Sequence, residues 1–394
     1  MKFALVRVGS IALAIAACAG LQGAAGHVNS FFQLLIILAG LYVTLAVSLN
    51  LINGITGQFS IGHAAFYQIG AYTCGVLAQK FYDRAHLPPL LWLVVVMAGG
   101  AATAAVAGFI VGLPSLRLRG DYLAIVTLGF GQIINIVAKN QKALGQAYGM
   151  DINPHIQSIF MVWLLAVVTI AVCRNLLKNV HGLAFLAVRE DEIAGTAMGV
   201  NVTRIKVTAF VLGSAFAGAA GALYAHSLGF ISPTNFTMDV SFIILTMVVL
   251  GGTGSVTGSI LAAMVLFYIP EKMRDLQAIP ISSIVAAILA LIVTVAFLKK
   301  LIDNYRGSKK PWLVLAFIVG GILLQAVFSF LLKPVPAFQQ MVEGSKLRLV
   351  VFAVTLVILM LFRPQGIFAH HEFSWNWVKR LFGKKNVPTT AVSA

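Results

Sequence analysis

The chain has 394 residues, of which 59% are hydrophobic and only 10% charged, with a mean hydropathy of +0.93. Soluble domains carry about 25% charged residues, so a soluble globular enzyme, a disordered chain and a disulfide scaffold are excluded. Lys and Arg number 28 against 12 Asp and Glu, a net charge of +16, but the basic residues sit in short blocks between long apolar runs. They make no basic face with interleaved aromatics, which argues against nucleic acid and leaves membrane lipid as the main solvent.

A transmembrane helix takes ~20 apolar residues. In chain order the apolar segments are 3–25, 31–53, 63–79, 90–112, 121–138, 156–173 and 205–228. The run 241–270 is too long for one span, and Gly251, Gly252, Gly254 and Gly258 break it into 241–251 and 259–270. Segments 281–298, 311–332 and 346–362 complete the set. The sum is an all-α polytopic membrane protein with about ten to twelve transmembrane segments, some of them broken or short. Alternating these from an inside N-terminus puts 19 of the 28 Lys and Arg residues on the cytoplasmic side, the bias expected of inward-facing loops. That topology makes both termini and the 174–204 loop cytoplasmic. The first segment also fits a cleaved leader, with Lys2, Arg7, the apolar stretch 11–19 and Ala24-Ala25-Gly26; the later topology is the same.

Between 54 and 80, Gly54, Gly57, Gly62, Gly70 and Gly75 interrupt an apolar run, and Thr56, Gln58, Ser60 and His63 add polar groups. Broken helices at membrane depth need a protein cover or a wet path. The stretch Thr56 to Gly62 resembles Thr253 to Gly258, and paired interruptions in two halves point to an inverted internal repeat with a path between. Thr56, Gly57, Ser60, Gly62, His63, Gly252, Thr253, Gly254 and Ser255 are the candidate path residues. For His63 a satisfied buried side chain competes with a transport role.

The loop stretch from Leu186 to Asn201 carries Glu190, Asp191 and Glu192 in a row. A short helix starting there has its acids at the positive end of the macrodipole. Ala194, Ala197 and Met198 share a face, and Gly199 and Asn201 suit its C-terminal end. Such a helix can dock into a groove of another protein; a solvated loop is the plainer reading.

Four stretches resemble the LivM-type permeases of the branched-chain amino acid ABC transporter family. They are Leu49 to Gly54 running on to Gly57 through Phe66; Leu113 to Tyr122; Arg189 to Gly199 with Ala215 to Tyr224; and Arg363-Pro364-Gln365-Gly366. The resemblance implies a membrane subunit of a bacterial inner-membrane importer of leucine, isoleucine and valine. It implies a LivH-like second permease, two cytoplasmic ATPase subunits that use the ATP, and a periplasmic amino-acid-binding protein. It assigns the ATPase-coupling loop to Arg189, Glu190, Asp191, Glu192, Ala194, Gly195 and Gly199, one residue off the common Glu-Ala-Ala-x-x-x-Gly spacing. The chain then divides into an N-terminal anchor helix (1–30), a permease core with the coupling loop (31–270), C-terminal membrane helices with an added pair at 281–332 (271–363), and a basic tail (364–394). Urea, short amides and other amino acids use closely similar permeases. An autonomous channel or ion-coupled transporter is the reading of another class.

Other polar residues carry less. Arg117, Arg119 and Asp121 form a charged cluster at a membrane boundary, suited to anchoring a helix start. Asp239 precedes a span. His370 and His371 lack a distant partner for zinc, and Cys18, Cys74 and Cys173 lie in or beside apolar runs without metal spacing. No phosphate-binding Gly-x-x-x-x-Gly-Lys-Ser/Thr loop occurs, so the chain is not expected to hydrolyse ATP, to act as an enzyme, or to bind a cofactor or metal of its own.

Overall fold

The computed structural model describes residues 2–26, 28–115 and 121–268, and scattered positions beyond. The chain forms two units, residues 1–267 with 359–394, and residues 268–358. In the second unit Ile279–Pro280 pairs antiparallel with Met341–Val342. The expected segments 281–298, 311–332 and 346–362 and the tail histidines lie outside the described residues, apart from isolated positions.

The first unit is helical, and its elements follow the apolar runs. Helices α1 (Lys2–Ala25), α2 (Ser30–Asn50), α3 (His63–Ala85), α4 (Pro89–Ser115) and α5 (Asp121–Asn140) come first. Then follow α6 (Ile159–Lys178), the short α7 (Val180–Glu190) and α8 (Glu192–Ala197), and the long α9 (Val202–Leu228). Helices α10 (Met238–Gly251) and α11 (Val256–Leu266) meet at a glycine turn, as the breaks in 241–270 require. Among the described residues six helical stretches are long and apolar enough to cross a membrane.

Helix α2 forms the centre: from Leu35 nearly every side chain is buried, Leu41, Leu45 and Leu49 among them. Helices α4 and α9 run antiparallel along small residues. A Cβ on Gly218 would meet the Gly100 carbonyl and Ala104, and one on Gly108 would meet Ser214. Small residues let helix backbones approach closely where no hydrophobic effect drives helices together. Large apolar side chains point outward from α4 and α5, including Val106, Phe109, Ile110, Ile125, Ile133 and Ile136. Such a surface suits hydrocarbon rather than water.

The two ends of this unit differ. At one end the 141–158 linker meets the end of α9: Met150 pairs with Ile231 and Asp151 with Phe230 in a two-residue ladder. The Ile152 amide donates to the Gly229 carbonyl at 2.8 Å. There Trp92 Nε1 donates to His226 Nε2 at 3.0 Å, and the His226 Nδ1–H donates to the Pro154 carbonyl at 2.8 Å. At the other end of α6 and α9 lie α7 and α8.

Candidate functional site: the coupling helices and the broken segments

The acidic loop is two helices rather than one. Glu190 closes α7, and its carboxylate takes a 2.6 Å ion pair from Arg189. Asp191 stands between the helices and caps α8, accepting from the amides of Ile193 (2.7 Å) and Ala194 (3.1 Å). This cap satisfies amides that a helix start leaves without partners. The acids therefore do lie at a helix start, but only Asp191 and Glu192 belong to it. Gly199, at φ +84°, ends α8, and the Val200 amide returns to the Gly195 carbonyl at 3.0 Å. Asn201, expected at that same end, instead caps α9 by accepting from the Arg204 amide at 2.9 Å. Of the residues along α8, Gly195 is buried over Ala187, whereas Ile193 (69%) and Met198 (84%) are exposed.

The break after α2 is an excursion with a closed neck. Ser48 Oγ and His63 Nε2 lie 2.8 Å apart. Between them the helix widens into a π-turn at Leu51–Ile55. Thr56 Oγ1 donates back to the Leu51 and Ile52 carbonyls at 2.9 and 2.8 Å. Asn53 holds the two limbs together: its Nδ2 donates to the Ser60 carbonyl (3.0 Å) and its Oδ1 accepts from the Ser60 amide (3.2 Å). The returning limb is fixed by Thr127, which accepts from the Ile61 amide at 3.0 Å, and by Ser241, which accepts from the Ala64 amide at 3.1 Å. Gly62 precedes α3 and sits against Thr127.

The tip of this excursion touches the coupling elements. Gly57, at φ +71°, packs against Arg189, whose Cγ would lie 3.2 Å from a Cβ at this position. Gln58 Nε2 donates to the Lys206 carbonyl at 3.4 Å. Lys206 in turn is buried on α9 and pairs through its Nζ with Glu192 of α8.

The second break packs against the first. Gly252 (φ +114°) and Gly254 (φ +95°) turn the chain between α10 and α11, and Ser255 caps α11 by accepting from the Gly258 amide at 3.1 Å. Asn50 Oδ1 accepts from the Gly254 amide at 2.9 Å. A Cβ on Gly54 would strike the Gly254 backbone. Of Arg363-Pro364-Gln365-Gly366 only Gly366 is described; it is buried beside Gly252 and Val249 with φ +76°. The two breaks thus meet in a seam at Asn50, Gly54 and Gly254, whereas Gly57 lies against Arg189, Gly62 against Thr127 and His63 beside Ser48. Four buried polar atoms at this seam have no protein partner: Asn50 Nδ2, Gln58 Oε1, Ser60 Oγ and His63 Nδ1.

Asn50, Asn53, Thr127, Lys206 and Ser241 were not among the expected site residues. Only the asparagines carried a signal, as amides in an apolar run. Arg117 and Arg119 lie outside the described residues, while Asp121 begins α5 and Asp239 lies in the first turn of α10. The three cysteines are buried and free, and the described residues contain no metal-holding group of His, Cys, Asp and Glu.

Apolar spans, paired helix breaks and a short half-buried helix followed by the exposed α8 define a multi-pass membrane protein of the permease class. Residues 31–298 match the family described as branched-chain amino acid transport system, permease component, and the chain belongs to that family. The family is one of transport components rather than enzymes. The chain is 38% identical over 270 residues to LivM, a high-affinity branched-chain amino acid transport permease of Salmonella typhimurium, covering 60% of this chain and 62% of that one. It therefore spans less than two thirds of that relative's length. It is 26% identical to the ribose import permease RbsC of Haemophilus influenzae, over 56% of this chain and 69% of that one. It is 22% identical to LivH of Escherichia coli, over 58% and 80%. No solved structure matches significantly.

Proposed function

We propose that this chain is one of two unlike permeases in an ABC importer for leucine, isoleucine and valine in the bacterial inner membrane, with both termini in the cytoplasm. A LivH-like chain is its partner, two cytoplasmic ATPases supply the energy, and a periplasmic binding protein delivers the amino acid. The relatives' names support the cargo and the second permease.

The observation that carries the mechanism is the link from α8 to the seam. A force on the exposed face of α8 reaches α9 through Glu192 and Lys206, and reaches the excursion through Arg189 against Gly57 and through Gln58. ATP-driven closure of the partner subunits pulls on this helix pair. The excursion then shifts against the Gly252–Ser255 turn, and the seam opens a path to one side and then the other. Thr56, Gly57, Ser60, Gly62 and His63 flank that path from one side, and Gly252, Thr253, Gly254 and Ser255 from the other. The polar atoms lacking protein partners, together with the helix ends, give a passing zwitterion groups to bind.

The test is reconstitution of the chain with its partners in vesicles. Leucine uptake is expected only with ATP and the ATPase subunits. Uptake by the chain alone would reject this reading for an autonomous channel or ion-coupled transporter. The ribose permease among the relatives shows that related scaffolds serve other cargoes, so the binding protein's ligand, screened against amino acids, urea and short amides, decides the substrate.

A further inference from the structure

We infer that the groove between α3 and α5 seats one acyl chain of an anionic phospholipid, with Lys80 and Lys142 at its end to meet the headgroup phosphate. The site requires only that the chain span a membrane, so it stands apart from the cargo and the engine proposed above.

The groove is a hollow of about 360 Å³, open along one side. Ile69, Val76 and Leu77 of α3 and Ile134 and Val137 of α5 form its walls, and Leu144 lines it from the linker. Its surface is nearly all carbon, because the polar groups in its walls are buried or already engaged. The amide of Gln68 and the hydroxyl of Tyr72 lie beneath the surface, and the Thr73 hydroxyl donates to the Ile69 carbonyl at 2.7 Å. A polar molecule would lose its hydration there without return, whereas a hydrocarbon chain only gains contacts.

Shape narrows the occupant. From Gln68 to Leu77 the groove follows nine residues of α3, about 13.5 Å at the helical rise. That is close to the depth of one leaflet, half of a hydrocarbon core about 30 Å thick. Spread over such a length, the volume makes a channel roughly 5 Å across, and a helix with its side chains, about 10–12 Å across, does not enter it. A single acyl chain does.

Charge completes the argument. Helical spacing puts Lys80 on the α3 face that carries Ile69, Thr73 and Val76, one turn past Val76. Lys142 follows Ala138 by four residues and opens the tight turn Lys142–Leu144, whose Leu144 lines the groove. Both lysines are exposed, and among the described residues neither ammonium has an ion-pair partner. A turn further out on α3, Asp83 and Arg84 offset each other. The groove therefore starts at Ile134, inside the α5 span, and ends at two unpaired positive charges beyond the membrane-facing walls. A phospholipid has the matching profile, a chain in the hydrocarbon and a phosphate at its edge, and basic residues at that edge favour anionic headgroups. Helix α4 is as apolar on its outward side but carries no charged residue, which makes it the internal control.

The experiment uses the full chain, purified with the subunits that accompany it, in nanodiscs of phosphatidylethanolamine and phosphatidylglycerol. The probe is a trace of phosphatidylglycerol with a diazirine in its acyl chain, and mass spectrometry maps the label. The label is expected on 69–77 and 134–138, and added phosphatidylglycerol is expected to displace it at least five-fold better than phosphatidylethanolamine. Lys80→Gln combined with Lys142→Gln is expected to cut the labelling about ten-fold or more, each lysine contributing about five-fold, and the two Lys→Arg changes are expected to keep it. Val137→Trp, at a position 50% exposed, fills the groove and is expected to abolish the label with both lysines in place. All of these positions are exposed, so folding is not at stake. Labelling spread evenly onto Val106 and Ile110 of α4, equal displacement by the two lipids, or labelling unchanged in the lysine variant overturns the site. A crosslink from Val137→Cys to another subunit also overturns it, since a protein then covers the wall. Leucine uptake is a separate readout: its absence removes the transport reading and leaves the lipid result standing.

Discussion

The Lys206 side chain is 3% exposed, whereas that of its partner Glu192 is 32% exposed. The two ends of this ion pair are therefore unequal. Removing the carboxylate strands an ammonium in a dry site, which costs several kcal/mol. Removing the ammonium leaves a carboxylate that water still reaches, and such half-exposed charges are cheap, about 1 kcal/mol or less. Glu192→Gln is expected to lower the melting temperature of the purified protein clearly more than Lys206→Met. Equal effects would mean that Lys206 is hydrated and that the link from α8 to α9 is weak. At the opposite end, Trp92 supplies the hydrogen that His226 Nε2 accepts. Trp92→Phe keeps the ring packing against Tyr82 but leaves that nitrogen buried without a donor, a cost of about 1–3 kcal/mol. The expected result is a lower melting temperature, with ATP-driven uptake at a permissive temperature nearly unchanged, because this end lies far from the coupling helices.

Helix α8 has only six residues, and a helix that short does not persist without tertiary support or caps. Asp191 is its cap. Asp191→Ala removes two side-chain to backbone bonds and costs about 1 kcal/mol, enough to fray the helix while the membrane part stays folded. The expected outcome is a complex that still assembles and hydrolyses ATP but loses most leucine uptake, with Asp191→Ser restoring much of it; uptake unchanged by Asp191→Ala would remove α8 from the coupling route. This element also shows where sequence reading reaches its limit. Length and apolarity revealed the apolar helices up to α11 but not α7 and α8, because lipid imposes both, and glycines revealed the breaks, because they adopt the positive φ at Gly57, Gly252 and Gly254 at little cost. The acidic run announced a helix start. It did not reveal that Glu190 ends one helix while Glu192 starts the next, because an Asp cap and a helix-interior acid look alike in sequence. Contacts across the fold left no local trace. Lys206 reads as one more basic loop residue until α9 turns it toward Glu192.

At the scale of the whole first unit, the helices fix which loops share a side even before any membrane is considered. Helix α6 separates the 141–158 linker from α7 and α8, and α9 returns from the coupling helices to the strand pair at Phe230–Ile231. The two loops must therefore face opposite compartments if α6 and α9 both span, as their length and apolarity allow. In the proposed orientation the α7–α8 side, which carries the surplus of Lys and Arg, faces the cytoplasm. Single cysteines test this directly. Cys18, Cys74 and Cys173 are buried and can be replaced by Ala or Ser as a background. Met198→Cys, on the 84% exposed tip of α8, and Tyr148→Cys, at 88% exposure in the opposite linker, offer reachable thiols. An impermeant maleimide is expected to label position 148 in intact spheroplasts and position 198 only in inverted vesicles. The reverse pattern would put the acidic helix outside, beyond the reach of any cytoplasmic ATPase, and the coupling route drawn through Glu192 and Lys206 would have no engine to serve.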